Sequence, residues 1–150
     1  MTYNDAITKY NIISNIVLTD GDSELPKELK VKIVRNRIKL NKIKKEWDEC
    51  MGEAIEQFKT EEYHTLMAKE NRNDKEQKKL EKIVDKINAE FNEFVENKAQ
   101  EELDINIDSF NSAEFDEIIA INASHTAVIN GKEIDGITLI EFFSDNFVNE

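Results

Sequence analysis

The sequence predicts a mainly α protein: a long, coiled-coil-like antiparallel helical hairpin, with a short N-terminal helix before it and a small acidic α+β part after it. Three observations predict this. The 150 residues hold only four Gly and one Pro, Pro26, too few breakers for a many-turned sheet protein. Two long stretches place apolar residues at alternating steps of four and three, the spacing of a helical seam. Past Lys98 that period gives way to alternation of apolar residues with acids. The length suits one domain over 1–150. Within it we distinguish an N-terminal helix and loop (1–22), the hairpin (23–99) and an acidic C-terminal subregion (100–150).

Residues 3–18 set Tyr3, Ala6, Ile7, Tyr10, Ile13 and Val17 on one helical face, with Thr2 or Asn4 as the cap. "TDGDSELP" then reads as a loop, because Gly, Asp and Ser cluster before a Pro. Its alternating acids Asp20, Asp22 and Glu24 resemble calcium-loop ligands. Leu25, however, stands where that loop needs its glycine, so a plain acidic loop is expected.

The first seam is Leu29, Ile33, Asn36, Leu40, Ile43, Trp47, Cys50 and Ala54, in a helix that starts near Pro26 and is expected to run to about residue 68. Asn36 is its one polar member: either a partly solvated position or a register-fixing one. "KENRND", 69–74, reads as the reversal. The second seam is Leu80, Val84, Ile87, Phe91 and Phe94. Two such rods on a short polar link read as an antiparallel hairpin, with pairing between chains as the competitor.

"ELDINIDSF" has the period of a half-buried strand, and "SAEFDEIIAINA" reads as a helix capped by Ser112. Asn130-Gly131 between short apolar runs signals a β-hairpin turn. Leu139, Ile140, Phe143 and Phe147 have helical spacing, while a strand through Ile137, Leu139 and Glu141 stays open.

Net charge is −12, which argues against direct nucleic-acid binding. The distribution is more telling. Residues 27–45 carry nine bases against Glu28, a local net of +8, whereas residues 100–150 carry twelve acids against Lys132, a net of −11. A hairpin turning at 69–74 sets Lys98 opposite Lys45. The first arm then overhangs by residues 27–44, about 27 Å at 1.5 Å per residue. The acidic third arrives beside this overhang, so the basic run is expected to be internal glue. The overhang has a second apolar face, Val31, Val34 and Ile38, whose available covers are the 3–18 helix and the acidic segment. Val31, Val34, Ile38, Arg35, Lys42, Phe143 and Phe147 together make the candidate interaction surface.

Motifs that carry chemistry are weak throughout. Glu61-Glu62-Tyr63-His64 holds one Glu-x-x-His, half of a helical di-iron motif, and no acid stands three residues before His125. Asp104-x-Asn106-x-Asp108 is a calcium-like fragment without its glycine. Cys50 lies on the seam as a small hydrophobe, and alone it makes no internal disulfide. There is no phosphate loop and no nucleophile motif. No catalytic residue, metal site or cofactor is therefore expected. With no secretory leader and no apolar run near ~20 residues, the chain is expected inside a reducing cell and away from membranes. The sequon Asn122-Ala123-Ser124 then has no use.

The first helix, "LPKELKVKIVRNRIKL" (Leu25 to Leu40), the charged hairpin, "ELDINI" and the apolar C-terminal end form a plan. It resembles short, uncharacterised proteins encoded among the virion and tail genes of tailed bacteriophages. The resemblance is one of pattern over most of the chain. It implies a non-enzymatic virion or assembly component in the host cytoplasm or the virion. Its partners would be protein, either other virion subunits or the chain itself. The alternative is an acidic inhibitor or nucleic-acid mimic that blocks a host protein, with the −11 segment as its display.

Overall fold

The computed structural model describes residues 1–149. The twelfth acid of the acidic third, Glu150, lies outside the described residues. Six helices and two small antiparallel hairpins follow one another: α1 (Tyr3–Ile13), β1 (Thr19–Asp20), β2 (Ser23–Glu24), α2 (Lys27–Phe58), α3 (Glu61–Ala68), α4 (Asp74–Ala99), α5 (Ser112–Asn122), β3 (Ala127–Ile129), β4 (Lys132–Ile134) and α6 (Gly136–Phe147). The mainly α class with a small α+β part is thus the one the sequence predicts. The chain divides into two compact units, Met1–Lys44 with Leu103–Glu150, and Lys45–Glu102. This division differs from the expected one: it cuts through α2 instead of keeping the hairpin whole.

In the first unit, Thr2 caps α1 in a reciprocal box with Asp5. That hydrogen bonding from the Thr2 backbone holds the Asp5 carboxyl below its ordinary range. The helix stops at Ile13, short of the expected residue 18. Ser14 and Asn15 turn their side chains back onto the Asn11 carbonyl and compete with the helical ladder. The expected loop after it is a small hairpin, pairing Thr19 with Glu24 across Gly21, whose φ of 60° is easy only for glycine. The core gathers Ala6, Ile13, Leu25, Ile33, Leu40, Ile118 and Leu139 around a phenylalanine cluster. Phe143 lies 5.1 Å from Phe110 and 4.9 Å from Phe147, centroid to centroid, and is fully buried.

The Asn-Gly turn forms as expected: Asn130 and Gly131 both have positive φ, joining β3 and β4 with Val128 opposite Glu133. Helix α5 is capped by Asn111 and not by Ser112. Of the two options at the end of the chain, the helix forms, with Asp135 as its cap. Its start lies against the end of α5: a Cβ on Gly136 would stand 2.3 Å from the Asn122 carbonyl oxygen.

The "ELDINIDSF" segment is extended but belongs to no sheet. Its backbone is held at separate points: Leu103 N–H donates to Met1 O at 2.7 Å, and Phe110 makes one isolated parallel bridge with Val148, donating to Phe147 O at 2.8 Å and accepting from Asn149 N–H at 3.1 Å. Leu103, Ile105 and Ile107 do turn toward the core, so the alternation is real without a ladder.

In the second unit, α2 stops at Phe58 and does not continue to 68. Thr60 caps a separate helix, α3, by accepting from the Tyr63 N–H at 3.1 Å. The reversal falls where expected: Asn73 caps α4 in a box with Glu76. Lys79 pairs with Glu62 at 2.5 Å, tying α4 to α3. Phe58 meets Phe94 edge-on at 6.2 Å, so the hairpin closes within one chain. That contact is incompatible with the register that sets Lys98 opposite Lys45. The break at Lys59 and Thr60 takes α3 out of the straight arm and shifts the pairing.

Candidate interaction surface

Helix α2 positions the site. Its seam face in the first unit, Leu29, Ile33, Asn36 and Leu40, is buried to 4% exposure or less. Three bases of the +8 run, Lys32, Arg35 and Lys39, meet the acidic third as expected, and Lys30 and Arg37 are held elsewhere in the first unit. Lys32 Nζ lies 2.9 Å from Glu114 and over the Phe110 ring. Arg35 pairs with Asp108 at 3.4 Å, Lys39 donates to the Asn106 carbonyl at 2.9 Å, and Lys30 pairs with Glu24 at 3.1 Å. Arg37 donates through Nε to Ile13 O at 2.9 Å and through a second nitrogen to Ile16 O, bracing the chain where α1 ends. Burial lowers its pKa from the ordinary guanidinium value.

Two buried asparagines do the locking. Asn36 Nδ2 donates to Asp108 O at 2.8 Å, and its Oδ1 accepts from Asp108 N–H at 2.8 Å. Asn122 treats Val17 the same way, accepting from its N–H at 2.7 Å and donating to its carbonyl at 3.1 Å. Each amide replaces one rung of a missing sheet. Asn36 is therefore neither a solvated seam position nor a register device between rods. Asn122 is fully buried, so the sequon it begins is closed to solvent.

The second face of α2 is uncovered. Val31, Val34 and Ile38 are 47%, 39% and 66% exposed, against the expectation that α1 and the acidic segment would cover them. The reason is geometric: α1 ends five residues early, and the acidic segment is drawn to Asn36 on the seam side. The three side chains floor a groove of about 430 Å³ whose rim is Lys27, Lys30 and Arg35. A neighbouring depression shares Val34 and Ile38 and adds Tyr10, Ser14, Arg37 and Asn41; of these Tyr10 lies on the apolar face expected of α1, while Ser14 and Asn41 are polar and carry no periodic signal. Lys42 is exposed but lines neither depression.

Phe143 and Phe147 do not belong to this surface. They are 0% and 3% exposed and form the core, as the strongest apolar face of an amphipathic helix must. The exposed apolar residues of α6 are Ile137 and Phe142, at 57% and 40%. Helical spacing places these off the Leu139/Ile140/Phe143 face, which is the signal that distinguishes them.

Among the described residues no group of three His, Cys, Asp or Glu side chains could hold a metal ion. The calcium-like fragment faces Arg35 and Lys39, bases that oppose a cation. His64 is exposed, His125 lies 3.4 Å from Asp20, and Cys50 is half-buried. No helix among the described residues is long and apolar enough to cross a membrane. Neither the family models nor the curated proteins nor the solved structures compared with this chain match it.

Proposed function

We propose that this chain is a non-enzymatic structural or assembly adaptor, a bacteriophage virion or tail-region component that docks on other protein subunits. The supporting observation is the Val31/Val34/Ile38 stripe: three large apolar side chains in line on a helix whose opposite face already carries the core. Scattered apolar residues on a surface need no explanation, but an aligned set rimmed by charge fits a contact surface. The site works by shape and burial and asks nothing of a titrating group. The alternative of an acidic inhibitor draws less support, because Asp108 and Glu114 of the acidic third are engaged with Arg35 and Lys32.

Affinity purification from the native source, with wild type and Ile38→Asp side by side, tests this. A virion structural subunit is expected with wild type and not with the variant. Recovery of a host nuclease or polymerase, equal for both proteins, would replace this function with the inhibitor.

A further inference from the structure

The first unit carries two exposed apolar patches of opposite surroundings. On α2, Val31, Val34 and Ile38 sit among Lys27, Lys30 and Arg35, the last two of which also hold Glu24 and Asp108 in exposed pairs worth roughly 0–1 kcal/mol each. On α6, Ile137 and Phe142 flank the exposed acids Glu141 and Asp145, and on the adjacent hairpin the exposed Val128 stands opposite Glu133. Resting on the docking function above, we propose that the occupant of the α2 groove is a second copy of this chain. It presents the Ile137/Glu141/Phe142/Asp145 face of its α6, in a head-to-tail contact.

Charge complementarity selects this pairing. Stripe against stripe would bring Lys27 of two copies together, beside Lys30 and Arg35 whose charges their own Glu24 and Asp108 already offset in part, and like charges facing across an interface oppose association. The α6 face against itself would do the same with Glu141 and Asp145. Only the crossed pairing places acids on the basic rim while covering both apolar sets. The dimensions agree: Val31 to Ile38 spans about 11 Å and Ile137 to Asp145 about 12 Å at 1.5 Å per residue. A contact that joins two different surfaces leaves one of each free at the ends. It therefore propagates to a closed ring or an open filament and does not stop at a dimer. With so few apolar anchors it belongs to the small, weak class of interfaces and tightens with copy number.

Sedimentation equilibrium and light scattering on the whole chain read this directly. Wild type is expected to rise in mass with concentration, past twice its 17.4 kDa, and to fall back in high salt. Ile38→Asp and Ile137→Asp are each expected to remain at 17.4 kDa. Both positions are exposed, and an acid in the first turn of α6 suits the helix dipole, so each variant should keep the wild-type circular dichroism. An equal mixture of the two variants is expected to form a species of twice the monomer mass and no larger, since one intact groove meets one intact α6 face. A mixture that stays monomeric while wild type assembles would overturn the crossed pairing. So would a wild type that stays monomeric at high micromolar concentration. In that last case the adaptor function survives if Ile38→Asp still loses the co-purified subunit, and falls if it does not.

Discussion

Helix α2 belongs to both units, and the two use the same seam in different ways. In the first unit Leu29, Ile33, Asn36 and Leu40 enter a core of fifteen buried apolar residues, with two asparagine locks and a phenylalanine cluster. In the second, Ala54, Leu66, Leu80 and Ile87 are the buried apolar residues among those described, Ile83, Val84, Phe91 and Phe94 are half-buried, and exposed ion pairs such as Lys79–Glu62 join α3 to α4. Exposed pairs of that kind contribute little, roughly 0–1 kcal/mol each. A continuous seven-residue pattern therefore tells that a face is covered without telling what covers it. Stability and specificity concentrate in the first unit, and the second is a thin hairpin built on the outgoing half of the same helix.

The largest break in this contrast should come from the phenylalanine cluster. Phe143→Ala is expected to cost about 3–5 kcal/mol in chemical denaturation, because the void it leaves among Phe110, Phe115 and Phe147 cannot collapse. Asn36→Ala is next. It leaves the Asp108 N–H and carbonyl without their partner and should cost about 2–3 kcal/mol. Asn36→Leu, which keeps the seam apolar, should not rescue it. Gly136→Ala should cost about 1–3 kcal/mol, since a methyl there meets backbone oxygens of Asn122 and Ala123 at 2.3 and 2.5 Å.

The pattern was legible where a local rule decides. Asn130-Gly131, the cap at Thr2 (one of the two candidates), and the buried seam of α2 follow from turn chemistry, short polar side chains and helical spacing. The break after Phe58 was signalled, too: Thr60 followed by Glu61 and Glu62 is a helix start with acids in its first turn. Apolar Leu66 and Met67 at helical spacing argued for continuation instead. Other features depend on long-range partners and leave no periodic trace. The extended 103–110 segment alternates like a strand, yet its rungs are supplied by the Asn36 side chain and by isolated backbone bonds. The Val31/Val34/Ile38 stripe was visible as apolar spacing, but that nothing covers it depends on where α1 ends. Phe143 and Phe147 share the helical spacing of Leu139 and Ile140, and that spacing marks them for the core and not for the surface.

A smaller effect separates the helix starts by pH. Backbone and side-chain hydrogen bonds at Thr138 hold the Asp135 carboxyl below its ordinary range, as those at Thr2 do for Asp5. A depressed acid stabilises the fold at pH values above its unfolded pKa, and that stability is lost as pH falls through the folded value. The melting temperature should thus be flat from neutrality to about pH 5 and decline below it. Asp135→Asn, which keeps a cap but has no proton to take up, should show a shallower decline.

Native-state hydrogen exchange along α2, resolved by residue, tests the two uses of one seam most directly. Amides around Ile33 to Leu40 should exchange only with global unfolding of the first unit and lose that protection in Asn36→Ala, whereas those around Cys50 to Phe58 should open at lower free energy and ignore the substitution. Equal protection along the whole helix, or a loss in Asn36→Ala that reaches Phe58 undiminished, would contradict it.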